Sequence, residues 1–342
     1  MPTVDQYESA MSHALEISLN GPETGVNPQV GAVILDPTGQ IASEGWHLGS
    51  GTDHAEVMAL KEFEASFPGV SLRDHTAVVT LEPCNHSGKT GPCSRALISA
   101  GISRVVYASS DPGVTSGMGR QALEEAGIEV VAGILLQKAE DQNRVWLTAN
   151  RLQRPFVTLK WASTLDGRSA ANDGTSQWIS GPESRADTHK RRSAADSILV
   201  GTGTVLADDP ELTARKPDGS YYETQPLRVV IGQRELQPDL RLFNDKAKTL
   251  ELKTRDLDHV LADLWTRDIK HVFVEGGPAV ANAFVRAGLV DEFLIYLAPM
   301  LLGGKNMALE DFGVATIGDA LHLEILETTP TGKDICIRAR RA

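Results

Sequence analysis

The sequence predicts two α/β layered domains, meeting near residues 151–155. Two observations predict this. Apolar runs of strand length alternate with helical patterns along most of the chain, the arrangement that stacks helices against a sheet. The pattern pauses at Arg151-Leu152-Gln153-Arg154-Pro155 and starts again at Phe156, and 342 residues suffice for two units of about 100–200 residues each. The expected domains are 1–150 and 151–342.

In the first, residues 5–19 carry Tyr7, Met11, Ala14 and Leu15 at helical spacing and stop at Asn20-Gly21-Pro22. A strand over 30–35, a turn at Asp36-Pro37-Thr38-Gly39 and a returning strand over 41–46 follow. A helix over about 54–65 leads to an apolar run, 77–81, read as a buried strand ending at Glu82. A helix is expected after Pro92, a strand at 105–107, a helix before Gly127, a strand at 128–131 and a helix over 137–150. In the second domain, strands are expected at 156–160, 197–200, 227–231 and 271–274, with helices at 182–195 and 277–288. Residues 216–226 read as a surface loop, and Cys336 as a strand residue without chemistry.

Composition narrows the function. Hydrophobic residues make up 41% and charged residues 23%, the balance of a globular protein with a real core. No apolar run approaches the roughly 20 residues that cross a bilayer. The N-terminus carries no basic patch before an apolar stretch, so no secretory signal is expected. Three cysteines are too few for a disulfide framework, and the cytoplasm is the expected compartment. A net charge of −12 argues against nucleic-acid partners, whose binding depends on neutralising phosphates. A small substrate fits better, and any phosphate on it needs local basic residues.

The chemistry is concentrated in His54-Ala55-Glu56, Pro83-Cys84 and Cys93. One imidazole and two thiolates fill three positions of a tetrahedral zinc and leave the fourth open for water. A carboxylate two residues from the histidine can move that water's protons. This is the pattern of zinc-dependent nucleobase deaminases. Singly, each residue has a plainer reading. Asp53 and Glu56 are spaced as a helix capping box, the cysteines as a disulfide or buried small hydrophobes, and His54 as a surface histidine. A closed structural zinc site with His86 as fourth ligand is the non-catalytic alternative. Eight residues, Asn85-His86-Ser87-Gly88-Lys89-Thr90-Gly91-Pro92, separate the cysteines. That polar loop is expected to reach the substrate, and it departs from the short spacing of cytidine and transfer-RNA deaminases. Cys93 falls at a predicted helix start, where the dipole favours thiolate.

The second half carries two glycine turns at strand ends, Gly201-Thr202-Gly203-Thr204 and Glu275-Gly276-Gly277-Pro278. Such turns let backbone amides approach an anion, though a lone Gly-Gly turn is more often structural. Arg185, Arg191 and Arg192 lie on a predicted helix, where such charges usually form a solvated face.

Longer tracts carry a resemblance. They are Asn27-Pro28-Gln29-Val30-Gly31, His54-Ala55-Glu56-Val57 and the stretch from Leu81 through Cys93; then Leu165-Asp166-Gly167-Arg168, Ser176-Gln177-Trp178-Ile179-Ser180, the stretch from Thr204 through Arg215, and Glu275-Gly276-Gly277-Pro278. With them the chain resembles the bifunctional riboflavin-biosynthesis family that joins a diaminohydroxyphosphoribosylaminopyrimidine deaminase to a 5-amino-6-(5-phosphoribosylamino)uracil reductase. The resemblance implies a cytidine-deaminase-like three-layer domain followed by a dihydrofolate-reductase-like domain. It implies one zinc ion per chain on His54, Cys84 and Cys93, with Glu56 as proton shuttle. It implies NADPH at Ala162, Trp178, Thr204, Asp208 and along Gly277, Pro278, Ala279, Val280, Ala281, Asn282 and Ala283. Substrate is implied at Asn27, Ser176, Arg192, Leu212, Arg215 and Glu275, which turns Arg192 from a solvated charge into half of a phosphate clamp with Arg215.

The implied reactions are hydrolytic deamination of 2,5-diamino-6-ribosylamino-4(3H)-pyrimidinone 5′-phosphate and NADPH-dependent reduction of its ribosyl chain, giving 5-amino-6-ribitylaminouracil 5′-phosphate. A deaminase of another nucleotide with a reductase of altered specificity is the nearest alternative. The expected partners are that small phosphorylated pyrimidine and further copies of the chain, as dimer or tetramer, with no nucleic acid and no membrane. Two positions depart from the family: Ile231-Gly232-Gln233 stands where Ile-Asp-Ser is frequent, and Gly91 where a second proline is common.

Overall fold

The computed structural model describes residues 2–86, 91–113 and 116–342. The chain divides into two compact units, Met1–Gln153 and Arg154–Ala342. Among the described residues, no helix is long and apolar enough to cross a membrane.

The first unit runs α1 (Val4–Ser18), β1 (Gly31–Leu35), β2 (Ile41–Trp46), α2 (Ala55–Ser66), β3 (Thr76–Leu81), α3 (Cys93–Ala100), β4 (Arg104–Ser109), α4 (Gly119–Glu125), β5 (Glu129–Ala132), α5 (Leu136–Gln142) and α6 (Arg144–Leu152). Its sheet has the order β2-β1-β3-β4-β5, antiparallel on the β2 side and parallel from β3 to β5. Successive side chains of a strand face opposite ways. In β1, Ala32 and Ile34 pack against Ala55, Ala59 and Phe63 of α2, while Val33 and Leu35 pack against Met11 and Leu15 of α1. Both faces are therefore apolar, and three layers result. Thr3 opens α1 with a capping box closed by Gln6.

Two readings of this half need correction. The helix expected over 137–150 is two helices, because Asn143 turns its side chain to both peptide groups of Gln29 and interrupts the run. Asp53 does not cap α2: the cap position is His54, without a side-chain cap bond, and the Asp53 carboxylate pairs with Lys61 at 2.5 Å instead.

The second unit runs β6 (Phe156–Thr164), α7 (Pro182–Ser193), β7 (Ser197–Gly201), α8 (Thr202–Asp208), β8 (Leu227–Ile231), β9 (Thr249–Leu252), α9 (Leu257–Thr266), β10 (His271–Val274), α10 (Pro278–Arg286), β11 (Glu292–Ala298), β12 (Leu323–Thr331) and β13 (Asp334–Arg341). The eight strands order as β12-β13-β11-β6-β10-β7-β8-β9, and only the β13 pairings are antiparallel. Pro182 at the start of α7 and Lys190, Arg191 and Arg192 in its last turn suit a helix dipole. The tract 201–204 is the start of α8 rather than a free turn. Cys336 is a buried residue of β13.

Candidate active sites

In the first unit, β3 delivers the chain to Glu82, Pro83 and Cys84. The Glu82 carboxylate accepts the backbone N–H of Asp111 at 3.4 Å and of Arg120 at 2.9 Å, tying this end of the strand to the start of α4. The Cys84 carbonyl accepts the Ser94 N–H at 3.1 Å, and the Cys93 N–H points at the Cys84 sulfur at 3.5 Å. The first turn of α3 and the end of β3 thus hold the two thiols together. His54, preceding α2, places Nδ1 3.2 Å from the Cys93 Sγ and 3.6 Å from the Cys84 Sγ.

These three ligand atoms lie within 4.8 Å of one another. Zinc bound at about 2.3 Å from sulfur and about 2.0 Å from nitrogen requires ligand atoms of this spacing, so the donor set fits the ion. All three cysteines are free, which removes the disulfide reading. His86 lies outside the cluster, which among the described residues has three members. Residues 87–90 of the inter-cysteine loop lie outside the described residues, and with them half of the expected substrate-reaching segment.

Glu56, on the first turn of α2, is only 4% exposed beside this cluster. Burial pushes its carboxyl above the usual range. The Cys93 thiol, His54 and the Cys93 N–H all hydrogen-bond the Cys84 sulfur, holding that thiol down at about 4. His54 is raised, chiefly by its bond to Cys84. Asn27 reaches the site indirectly. Its Nδ2 lies 2.7 Å from His47 Nε2, and the His47 ring stands edge-on to His54 at 5.1 Å.

In the second unit, two adjoining cavities open at the carboxyl ends of the parallel strands, where α/β sheets bind ligands. One, of about 850 Å³, is lined by Gly201, Thr202, Gly203, Gly232 and the segment Gly276-Gly277-Pro278-Ala279-Val280. Ala283 also lines it, whereas Ala281 and Asn282 turn inward and are buried. The other, of about 730 Å³, is lined by Trp178, Arg192, Leu212 and Arg215. Ala162, Ser176, Thr204, Asp208 and Glu275 border both. Of the positions predicted in this half, all but Ala281 and Asn282 meet at these cavities. Gln233 does not line either, but its neighbour Arg234 does.

A part-buried ion cluster joins the cavities. Arg192 grips Glu275 with two bonds of 2.6 and 3.0 Å and also donates to the Thr213 carbonyl at 3.0 Å. Its fork is thereby occupied. Burial alone raises the Glu275 carboxyl, but the Arg192 and Lys160 charges outweigh it and hold it at about 2. Lys160 sits 3.7 Å from Glu275 and borders both cavities. Burial lowers its ammonium. Sequence reasoning passed over Lys160, although a lysine closing the apolar run Phe156-Val157-Thr158-Leu159 was the available signal. Arg215 pairs with Glu211 at 2.9 Å, and the Arg185 guanidinium stacks on the Trp178 ring at 4.6 Å.

Fold and sites together define a bifunctional enzyme, an α/β deaminase unit with a zinc-type ligand set joined to an α/β reductase unit with a dinucleotide-sized cleft. A family model for the cytidine and deoxycytidylate deaminase zinc-binding region matches residues 4–109, and one for the RibD C-terminal domain matches residues 155–337. The riboflavin biosynthesis protein RibD of Mycobacterium tuberculosis is 46% identical over 98% of this chain and 97% of its own. That of Escherichia coli is 36% identical over 97% and 98%. A solved Acinetobacter baumannii RibD superposes with a TM-score of 0.89 at 33% identity, covering 99% of this chain and 100% of its own. The chain belongs to the RibD family of riboflavin biosynthesis proteins, with deaminase and reductase activities and with zinc and NADPH as cofactors.

Proposed function

We propose that the first unit deaminates 2,5-diamino-6-ribosylamino-4(3H)-pyrimidinone 5′-phosphate and that the second reduces the ribosyl chain of the product to give 5-amino-6-ribitylaminouracil 5′-phosphate. A solved Thermotoga maritima relative, 31% identical with a TM-score of 0.84 over 99% of both chains, is titled a diaminohydroxyphosphoribosylaminopyrimidine deaminase and 5-amino-6-(5-phosphoribosylamino)uracil reductase. The observation that carries the reading is the His54, Cys84 and Cys93 cluster with Glu56 buried against it.

In this reading His54, Cys84 and Cys93 hold the zinc, which when bound supplies the Lewis acidity that makes water nucleophilic near neutral pH. Glu56 takes a proton from the attacking water and passes it to the ring nitrogen, then takes the remaining hydroxyl proton and passes it to the departing amine, which leaves as ammonia. In the second unit NADPH, when bound, supplies the hydride that converts the opened ribosyl C1 to a ribityl carbon. Gly277, Pro278, Ala279, Val280 and Ala283 hold the dinucleotide, with Ala162, Thr204 and Asp208 where the cavities meet and Trp178 in the second. Ala281 and Asn282 support that helix start from within. Ser176, Leu212, Arg215 and Glu275 face the substrate. Arg192 acts by fixing Glu275, which leaves Arg215 and the neighbouring Arg185 to meet the phosphate. Asn27 positions His47 beside His54.

A homo-oligomer, dimer or tetramer, in the cytoplasm completes the reading. Edge strand β12 exposes eight of its nine residues, Ile325 to 63%, a surface that a second copy would cover. Free cysteines suit a reducing compartment. Light scattering on the purified chain measures the assembly. Incubation with the diaminopyrimidine nucleotide, following ammonia release and NADPH oxidation separately, tests the function. Ammonia release without NADPH oxidation leaves only the first half of the reading standing.

A further inference from the structure

The larger cavity of the second unit has a basic rim that the fold does not neutralise. Strands β8 and β9 are parallel neighbours, with Ile231 opposite Leu252. Each is followed three residues later by an arginine, Arg234 and Arg255, and both border the cavity. Two acidic neighbours are committed elsewhere, since Glu235 and Glu251 both face Lys253, at 3.4 and 3.5 Å, while Asp208 lines the same cavity without an ion pair of its own among the described residues. No carboxylate pairs with Arg234 or Arg255 among the described residues. The Arg234 Nη2 packs against Gly203, where a Cβ would come within 2.7 Å. The guanidinium therefore lies across the start of α8, at the cavity mouth.

The departure from the family's Ile-Asp-Ser tract belongs here. Gly232 places no carboxylate beside Arg234. Its φ of +129° disfavours any side chain, and a Cβ there would stand 2.6 Å from Thr202 Oγ1. In a chain of net charge −12, two uncommitted guanidinium groups on adjacent strand ends are a local anion site. The planar fork of arginine matches a phosphomonoester.

We propose that Arg234 and Arg255 bind the 2′-phosphate of the adenosine ribose and so make the second unit select NADPH over NADH. The two cofactors differ by that one phosphomonoester alone, so a pair of arginines reserved for it discriminates without touching the nicotinamide end. This inference rests on the reductase reading proposed above.

The test titrates the full chain and its Arg234→Ala, Arg255→Ala and double variants with NADPH, NADH, 2′,5′-ADP and 5′-AMP by calorimetry. NADPH and 2′,5′-ADP are expected to weaken about tenfold or more for each arginine lost, the worth of one charge-assisted hydrogen bond. NADH and 5′-AMP are expected to stay within about twofold, because neither presents the group the arginines address. Equal losses for NADPH and NADH, or no loss for either, overturn the inference. A wild-type chain that binds both dinucleotides equally overturns it while leaving the reductase reading intact; one that binds neither removes both. Melting curves check the fold, and an alanine variant that melts early is replaced by its glutamine counterpart, for which the same outcomes decide.

Discussion

At Glu56 two roles compete for one carboxylate, and burial favours the proposed proton carrier over a cap. A capping glutamate reaches back to the residue before the helix and stays wet. Glu56 is 4% exposed beside His54 and Cys93, and Asp53, its expected partner, is paired with Lys61. Replacement by glutamine keeps the shape and removes the proton carrier. Glu56→Gln is expected to retain zinc, read by metal analysis, and to lower ammonia release by a factor on the order of 10² or more; persistent deamination would reject the assigned base. His189 supports a second prediction. Burial, with the Arg192 and Arg215 charges, depresses it from 6.5 to about 4. The unfolded chain therefore binds this proton first as pH falls, so the stability His189 contributes is full above about 6.5 and is lost on the way down to about 4. His189→Gln should flatten the fall in urea stability across that window; identical slopes in both proteins would show that His189 is not its source.

Among the elements, the junction between β3 and α4 governs how Cys84 is held. A Cβ on Gly119 would stand 1.7 Å from the Pro83 carbonyl oxygen, so a side chain there displaces the peptide that precedes the ligand. Gly119→Ala is expected to cost about 1–3 kcal/mol in urea unfolding and to weaken zinc retention against a chelator, while a variant at open Gly127 or Gly133 provides the comparison for mere backbone strain. Unchanged zinc retention would separate this junction from the metal site. The buried strands β1, β3, β4, β7 and β10 were legible because both faces are covered and the run is continuously apolar. The apolar run Phe293-Leu294-Ile295-Tyr296-Leu297 of β11 carried the same signal, although no strand was expected there. Strand β12 did not, since its residues are exposed and only pairing with β13 makes it a strand. The candidate metal ligands His54, Cys84 and Cys93 stood out by spacing. Lys160, Arg234 and Arg255 belong to separate strands or the turns that follow them, and nothing local announces that the fold gathers them at one cavity.

Across the whole molecule, the two chemistries draw on separate residues. Every donor of the metal cluster belongs to Met1–Gln153, and every residue lining the two cavities to Arg154–Ala342. The first unit also carries apolar clusters on both faces of its sheet, so its core does not depend on the ion. Removing the metal should therefore abolish one activity without unfolding the chain. Dialysis against a chelator is expected to eliminate ammonia release while leaving NADPH oxidation with the deaminated substrate within about twofold of the untreated protein, since no reductase contact is lost. Zinc readdition is expected to restore deamination, because His54, Cys84 and Cys93 are already gathered within 4.8 Å. Parallel loss of both activities would mean that the metal supports the second unit as well, and undiminished ammonia release would refute the metal's part in deamination.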